Sequence, residues 1–152
     1  MARLIASFFG TGLILRRIRG KDIGSGTVGG LFAAALALWL GRAAGWPWVL
    51  GLTVLGLVAG TAAIRSIHDR EGDAGWIVVD EATGAFLSLI GVTAYPAALV
   101  AFAVFRLADI FKRFFPGVER AENIPGPAGV VADDLVAGIY GLLAGHIVQR
   151  LV

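Results

Sequence analysis

Long apolar stretches, joined by connections of only a few residues, leave this chain little choice of environment. They run from about Thr27 to Leu40, Trp46 to Ile64, Trp76 to Val92, Tyr95 to Phe111 and Val130 to Val148. A helix that crosses a bilayer needs roughly 20 apolar residues, within a range of about 17–25. The second and fifth stretches meet that length cleanly. The first is short, and the third and fourth reach it only by including acidic residues. Composition agrees: 57% of the 152 residues are hydrophobic and 16% are charged, against about 25% charged in a typical soluble domain. A soluble domain of this size leaves roughly 30% of its unfolded surface in water, and this chain lacks the polar groups to cover it. The reading is an all-α, polytopic membrane helix bundle of about five transmembrane helices, with residues 1–152 as a single domain.

Leu4 to Leu15 is also apolar, but Arg16, Arg17, Arg19 and Lys21 follow it. A cleavable signal carries its basic residues in front, so this stretch reads as an N-terminal interfacial or re-entrant helix. With five spans and the N-terminus inside, Arg3, Arg16, Arg17, Arg19, Lys21, Arg65, Arg70, Lys112, Arg113 and Arg120 share the inner face. Arg42 and Arg150 lie outside, and Arg106 lies within a span. Cytoplasmic loops carry the excess of Lys and Arg, which fixes this orientation. Cysteine is absent, so thiolate catalysis, zinc-thiolate sites and disulfides are excluded. Glycines such as Gly51, Gly56 and Gly60 let membrane helices pack closely and are compatible with a homo-oligomer.

The acids fall in a pattern that composition does not require. Asp80 and Glu81 lie near the inner end of the third stretch, Asp109 in the last inner turn of the fourth, and Asp133 and Asp134 at the inner start of the fifth. Five carboxylates on three helices thus share one depth, where each costs a few kcal/mol unless it faces protein, water or a cation. Snorkelling and pairing with helix dipoles is the plain explanation for Asp133 and Asp134 alone; it is a poor one for all five. Clustered carboxylates repel, and protonation or a divalent cation relieves the repulsion. Oxygen-only donors favour magnesium, calcium or manganese, and magnesium commonly completes its shell with a substrate phosphate.

Candidate phosphate partners lie close by. Arg106 and Asp109 share a helix face at i, i+3, and Lys112 follows a turn later at the membrane surface. An ion pair alone would also explain Arg106. The segment Gly24-Ser25-Gly26-Thr27-Val28-Gly29-Gly30 enters the first span, with Thr27 a candidate N-cap. Helix entries of this kind present free N–H groups to anions, although most are structural. A Gly/Pro-rich turn, Pro125 to Gly129, leads into Asp133-Asp134. His68 and His146 suggest no Ser/His/Asp arrangement, and nothing points to nucleic acid.

At these residues the sequence resembles the phosphatidylglycerophosphatase A family. The matching stretches are Gly26-Thr27-Val28-Gly29, the block Asp73 to Glu81 with Gly84 after it, Phe105-Arg106 with Asp109 and Lys112, and Gly126, Gly129 and Asp133 to Gly138. They occur in family order. Departures are Ser25 in place of a proline, Arg113 after Lys112 where a Lys-Pro-x-Pro run is usual, and Gly126-Pro127 in place of Gly-Gly. The resemblance implies a magnesium-dependent lipid phosphatase that converts phosphatidylglycerophosphate to phosphatidylglycerol in a bacterial-type inner or plasma membrane. Its active site would lie near the cytoplasmic face and receive an anionic phospholipid. It further implies Asp80, Glu81, Asp109, Asp133 and Asp134 as the catalytic or metal-binding positions.

The mechanism expected is a metal-assisted phosphomonoester hydrolysis. Asp80, Asp109, Asp133 and Asp134 would be the ligands to Mg2+, and Glu81 a ligand or the base. Arg106 and Lys112, with Gly26 and Thr27, would bind the phosphate. Attack by bound hydroxide and an aspartyl-phosphate route are both open at this point. Two other classes compete: a small membrane cation or proton carrier using the intramembrane carboxylates, and a non-catalytic subunit whose charges pair with a partner.

Overall fold

The computed structural model describes residues 1–20, 22–71 and 74–152, with side chains at all of these except 16, 19 and 68–71. Lys21 and Asp73, singled out in the sequence, lie outside the described residues. Every regular element among those residues is helical: α1 (Ala2–Ala6), α2 (Ile14–Arg19), α3 (Ser25–Ala43), α4 (Trp46–Glu71), α5 (Val79–Ser88), α6 (Tyr95–Ile110), α7 (Val118–Glu122) and α8 (Pro127–Gln149). Two 3-10 turns join them, at Thr11–Leu13 and Lys112–Phe114.

Among the described residues, three helices are long and apolar enough to cross a membrane: α3, α4 over Trp46–Ile67, and α8. Their outward faces carry exposed Leu31, Phe32, Leu55, Val58, Leu143 and Ile147, which suits hydrocarbon rather than water. Trp39, Trp46, Trp48 and Tyr95 are exposed toward one end of the bundle, the arrangement of an interfacial aromatic belt.

The third stretch behaves differently from its neighbours. Only ten residues of it are helical, about 15 Å at 1.5 Å per residue. Its chain still runs alongside α8 from Asp134, near Asp80, to Gln149, whose Nε2 donates to Gly91 O. The passage is completed by turns, Gly75–Val78 before the helix and Leu89–Val92 after it. Non-helical backbone survives at membrane depth only where protein or a polar cavity satisfies it. Here Val78 N donates to Ala6 O (2.9 Å), Ile77 N to Ala74 O and Val92 N to Leu89 O. Helix α5 is accordingly buried over most of its length, with Val79, Ala82, Thr83, Ala85, Phe86 and Ser88 inside. Helices α3, α4, α6 and α8 pack against it.

The N-terminal stretch, expected as one interfacial or re-entrant helix, is broken into short helical pieces. After α1, Phe8 (φ 45), Phe9 (φ 57) and Gly10 (φ 91) take left-handed conformations and turn the chain back. Bulky residues adopt that region at a cost of about 1–3 kcal/mol. Local bonds offset it: Ser7 Oγ accepts from Gly10 N, and Thr11 Oγ1 donates to Phe8 O (2.9 Å). The Phe8 ring meets Phe86 of α5 edge-on at 5.8 Å, so the tip wedges against the buried helix.

Small residues set how closely the inner helices approach. A Cβ on Gly84 would come within 2.7 Å of Asp134 O, and one on Gly138 within 2.8 Å of Gly84 O. The α5–α8 crossing is therefore in backbone contact at the level of the acids.

Candidate active site

The sequence places Asp80 and Glu81 in the first turn of α5, where the positive end of the helix dipole offsets part of their charge. Asp109 ends α6. Asp133 and Asp134 stand in the second turn of α8, which begins at Pro127, earlier than the apolar pattern suggested. The Gly84–Gly138 contact brings the two acid pairs together. Ligand oxygens of Asp80, Glu81 and Asp134 all lie within 4.8 Å of one another. Asp80 is 6% exposed, Asp133 5% and Asp134 4%. Three oxygens in this group, Glu81 Oε2, Asp133 Oδ1 and Asp134 Oδ1, are buried with no hydrogen-bond partner.

All five predicted acids line a single cavity of about 400 Å³, together with Lys112 and Glu122. Asp109 and Asp133 are not in the tight trio. Arg106 Nη1 reaches Asp109 Oδ2 at 2.7 Å, and Lys112 Nζ reaches Asp133 Oδ2 at 2.6 Å. Lys112 Nζ also donates to Glu122 Oε1 at 2.7 Å. Burial works against the lysine's charge, but the bonds to Asp133 and Glu122 outweigh it and hold its pKa above the ordinary lysine value.

The remaining predicted residues stand behind the acids rather than in the cavity wall. Gly26 touches Glu81: a side chain there would overlap the Glu81 carboxylate. Its role in this geometry is to admit that carboxylate. Thr27 is not an N-cap, because α3 starts two residues earlier with Gly24 (φ 88) as its cap. Its hydroxyl instead accepts from Arg106 Nη2 at 3.3 Å. Arg106 thereby links the start of α3 to Asp109, while its Nε is buried without a partner.

Two residues at the site escaped the sequence reading. Glu122 ends α7, ten positions from Lys112 and in a different element, and no helical spacing announces that pairing. Ser25 is fully buried with its Oγ unpartnered; the one hint was that it replaces a proline in the family pattern.

A cluster of buried, unpartnered carboxylate oxygens repels itself, and a hard cation relieves the strain. The donor set is all oxygen, which fits magnesium or a similar ion. Lys112 sits at the mouth, and Arg106 supports the acids from behind. Acids that can hold a hard cation, next to fixed positive groups, make a site suited to handling phosphate.

Comparison with known proteins agrees with that chemistry. A family model described as Phosphatidylglycerophosphatase A matches residues 4–149. A Haemophilus influenzae protein named Phosphatidylglycerophosphatase A is 32% identical, covering 96% of this chain and 87% of the relative. An Escherichia coli protein of the same name is 32% identical over 90% of this chain and 76% of its own. A Bacteroides thetaiotaomicron protein, which carries the name "Putative phosphatidylinositol-3-phosphatase", is 32% identical over 92% of this chain and 88% of its own. No solved structure is matched by this chain. The match over nearly the whole length, and the acids it encloses, place this chain in the phosphatidylglycerophosphatase A family, as a membrane-bound phosphoric monoester hydrolase.

Proposed function

We propose that the acid cavity is a magnesium-dependent phosphatase centre acting on phosphatidylglycerophosphate, with its mouth at the cytoplasmic face. The observation that carries this reading is the trio Asp80, Glu81 and Asp134, within 4.8 Å of one another, with orphaned buried oxygens on Glu81 and Asp134. These three would hold the cation, and the Asp133 and Asp109 carboxylates flank them. The ion, when bound, polarises the phosphoryl oxygens and lowers the pKa of a bound water. The chain's own groups do the rest. Lys112 meets the phosphate at the mouth and offsets its charge. Arg106 keeps Asp109 facing the cavity. In the net reaction a water oxygen bonds to phosphorus, the bond from phosphorus to the lipid's alcohol oxygen breaks, and that oxygen leaves with a proton.

Substrate choice follows the names of the relatives, two of which point to phosphatidylglycerophosphate and one to a phosphoinositide. Orientation follows the excess of Lys and Arg at the acid end. The carrier alternative is weakened by the distribution of charge. No Asp or Glu occurs in 23–68, 82–108 or 135–152, so no acidic path leads across the bilayer.

The decisive experiment is phosphate release by purified protein from vesicles holding phosphatidylglycerophosphate, phosphatidylinositol 3-phosphate or neither, with Mg2+ and with chelator. The expected result is release from phosphatidylglycerophosphate only when Mg2+ is present. Equal release with chelator would end the metal reading, and preference for the phosphoinositide would replace the substrate.

A further inference from the structure

Lys112 is shared between two carboxylates of unlike character. Asp133 is almost completely buried and lines the acid cavity, whereas the Glu122 side chain is 52% exposed. The ammonium lies 2.6 Å from Asp133 Oδ2 and 2.7 Å from Glu122 Oε1. A divalent cation held by the trio beside Asp133 and an ammonium at hydrogen-bond distance from the Asp133 carboxylate repel each other. The ammonium on Asp133 therefore counts against the ion.

The segment carrying Glu122 is firmly held. Val118 and Ala121 of α7 are buried. Pro116 O accepts from Tyr140 Oη of α8 at 2.8 Å, and the Phe115 and Tyr140 rings meet edge-on at 5.2 Å. Glu122 is thereby kept at a fixed place over the cavity mouth, on the solvent side of the lysine.

From this geometry we infer that Glu122 is a positioning residue: it draws Lys112 away from Asp133 when a cation enters the cavity, and keeps the ammonium at the mouth where an anionic headgroup arrives. The inference rests on the metal reading above. It makes Lys112 an internal competitor of the ion, with Glu122 setting how readily that competitor steps aside. An ordinary exposed ion pair would have no such link to metal binding.

The test is calorimetric titration of Mg2+ into purified protein, in a double-mutant cycle. Glu122→Gln leaves the ammonium on Asp133 alone, so Mg2+ binding should weaken about 2–5-fold, the scale of an exposed charge pair. Lys112→Met frees Asp133 and should tighten binding. With Lys112→Met already in place, Glu122→Gln should then change the affinity by less than about 2-fold. Lys112→Gln serves the same purpose if Lys112→Met does not fold, and melting curves confirm that each variant is intact. Equal weakening by Glu122→Gln in both backgrounds would reduce Glu122 to a general electrostatic contribution and overturn the inference. Unchanged binding in Glu122→Gln alone would do the same. Absence of Mg2+ binding by the unaltered protein would instead overturn the metal reading, and this inference with it.

Discussion

The two ends of the bundle use polar side chains in opposite ways. Away from the acids, each polar group that enters the α5–α6 turn finds a partner. Gln149 Oε1 accepts from the backbone N–H of Thr93 and Ala94 while its Nε2 donates to Gly91 O. His146 Nε2 donates to Ile90 O at 2.9 Å. Arg42 donates to Thr93 O at 2.7 Å and lies over the Tyr95 ring. At the acid end, buried oxygens of Glu81, Asp133 and Asp134 and the Nε of Arg106 have no partner. Buried polar groups in proteins are nearly always satisfied. The complete end therefore reads as architecture, and the incomplete end as a place that something else completes.

Substitutions at the two ends should separate activity from stability. The largest effect is expected for Asp134→Asn. Activity should fall at least about 100-fold, the scale seen when one key electrostatic group is removed from an active site. Melting in cation-free buffer should stay level or rise, because a repelling buried charge is gone. The unaltered protein should gain about 2.7 kcal/mol at a Mg2+ concentration 100 times its Kd, and the variant should lose most of that gain. Thermal unfolding with Mg2+ and with chelator measures both. A variant that melts early and gains as much from Mg2+ would make Asp134 structural.

Next in size is Gly26→Ala, whose methyl group would collide with the Glu81 carboxylate. Overpacking of this kind costs about 1–3 kcal/mol, and it displaces an acid of the trio. Both the melting temperature and phosphate release should drop, and unaltered activity would remove Glu81 from its assigned place. The smallest effect on turnover is expected at the far end. Gln149→Ala removes bonds to two N–H groups and a carbonyl that are exposed or half-buried and should cost about 0.5–1.5 kcal/mol of stability, while activity per folded molecule stays near normal. A large loss of activity there would mean that the ends are coupled and the comparison fails.

The sequence was most informative where the environment is simplest. Helices α3 and α8 start and stop within a few residues of the apolar stretches, because lipid rewards uninterrupted helix; α4 starts with its stretch but runs on past Ile64 to Glu71. Helix α5 was misjudged in length for the same reason. Gly75–Val78 and Leu89–Val92 are as apolar as the helix between them, so hydropathy cannot separate turn from helix once both are buried. The left-handed turn at Phe8–Gly10 was invisible because phenylalanine is not a turn former; the Ser7 and Thr11 bonds and the packing on Phe86 sustain it. Convergence of the acids was legible from their common depth, and the Arg106–Asp109 pair from i, i+3 spacing. The bond from Lys112 to Asp133 spans 21 positions, and no local period encodes it.

Confinement of the cavity acids to one half of the molecule also restricts which lipids can be served. A headgroup phosphate does not sink through hydrocarbon to find its carboxylates, since charge at the bilayer centre is heavily penalised. Chemistry built this way works on a single leaflet. Lipid facing the opposite side would keep its phosphate until something turned it over.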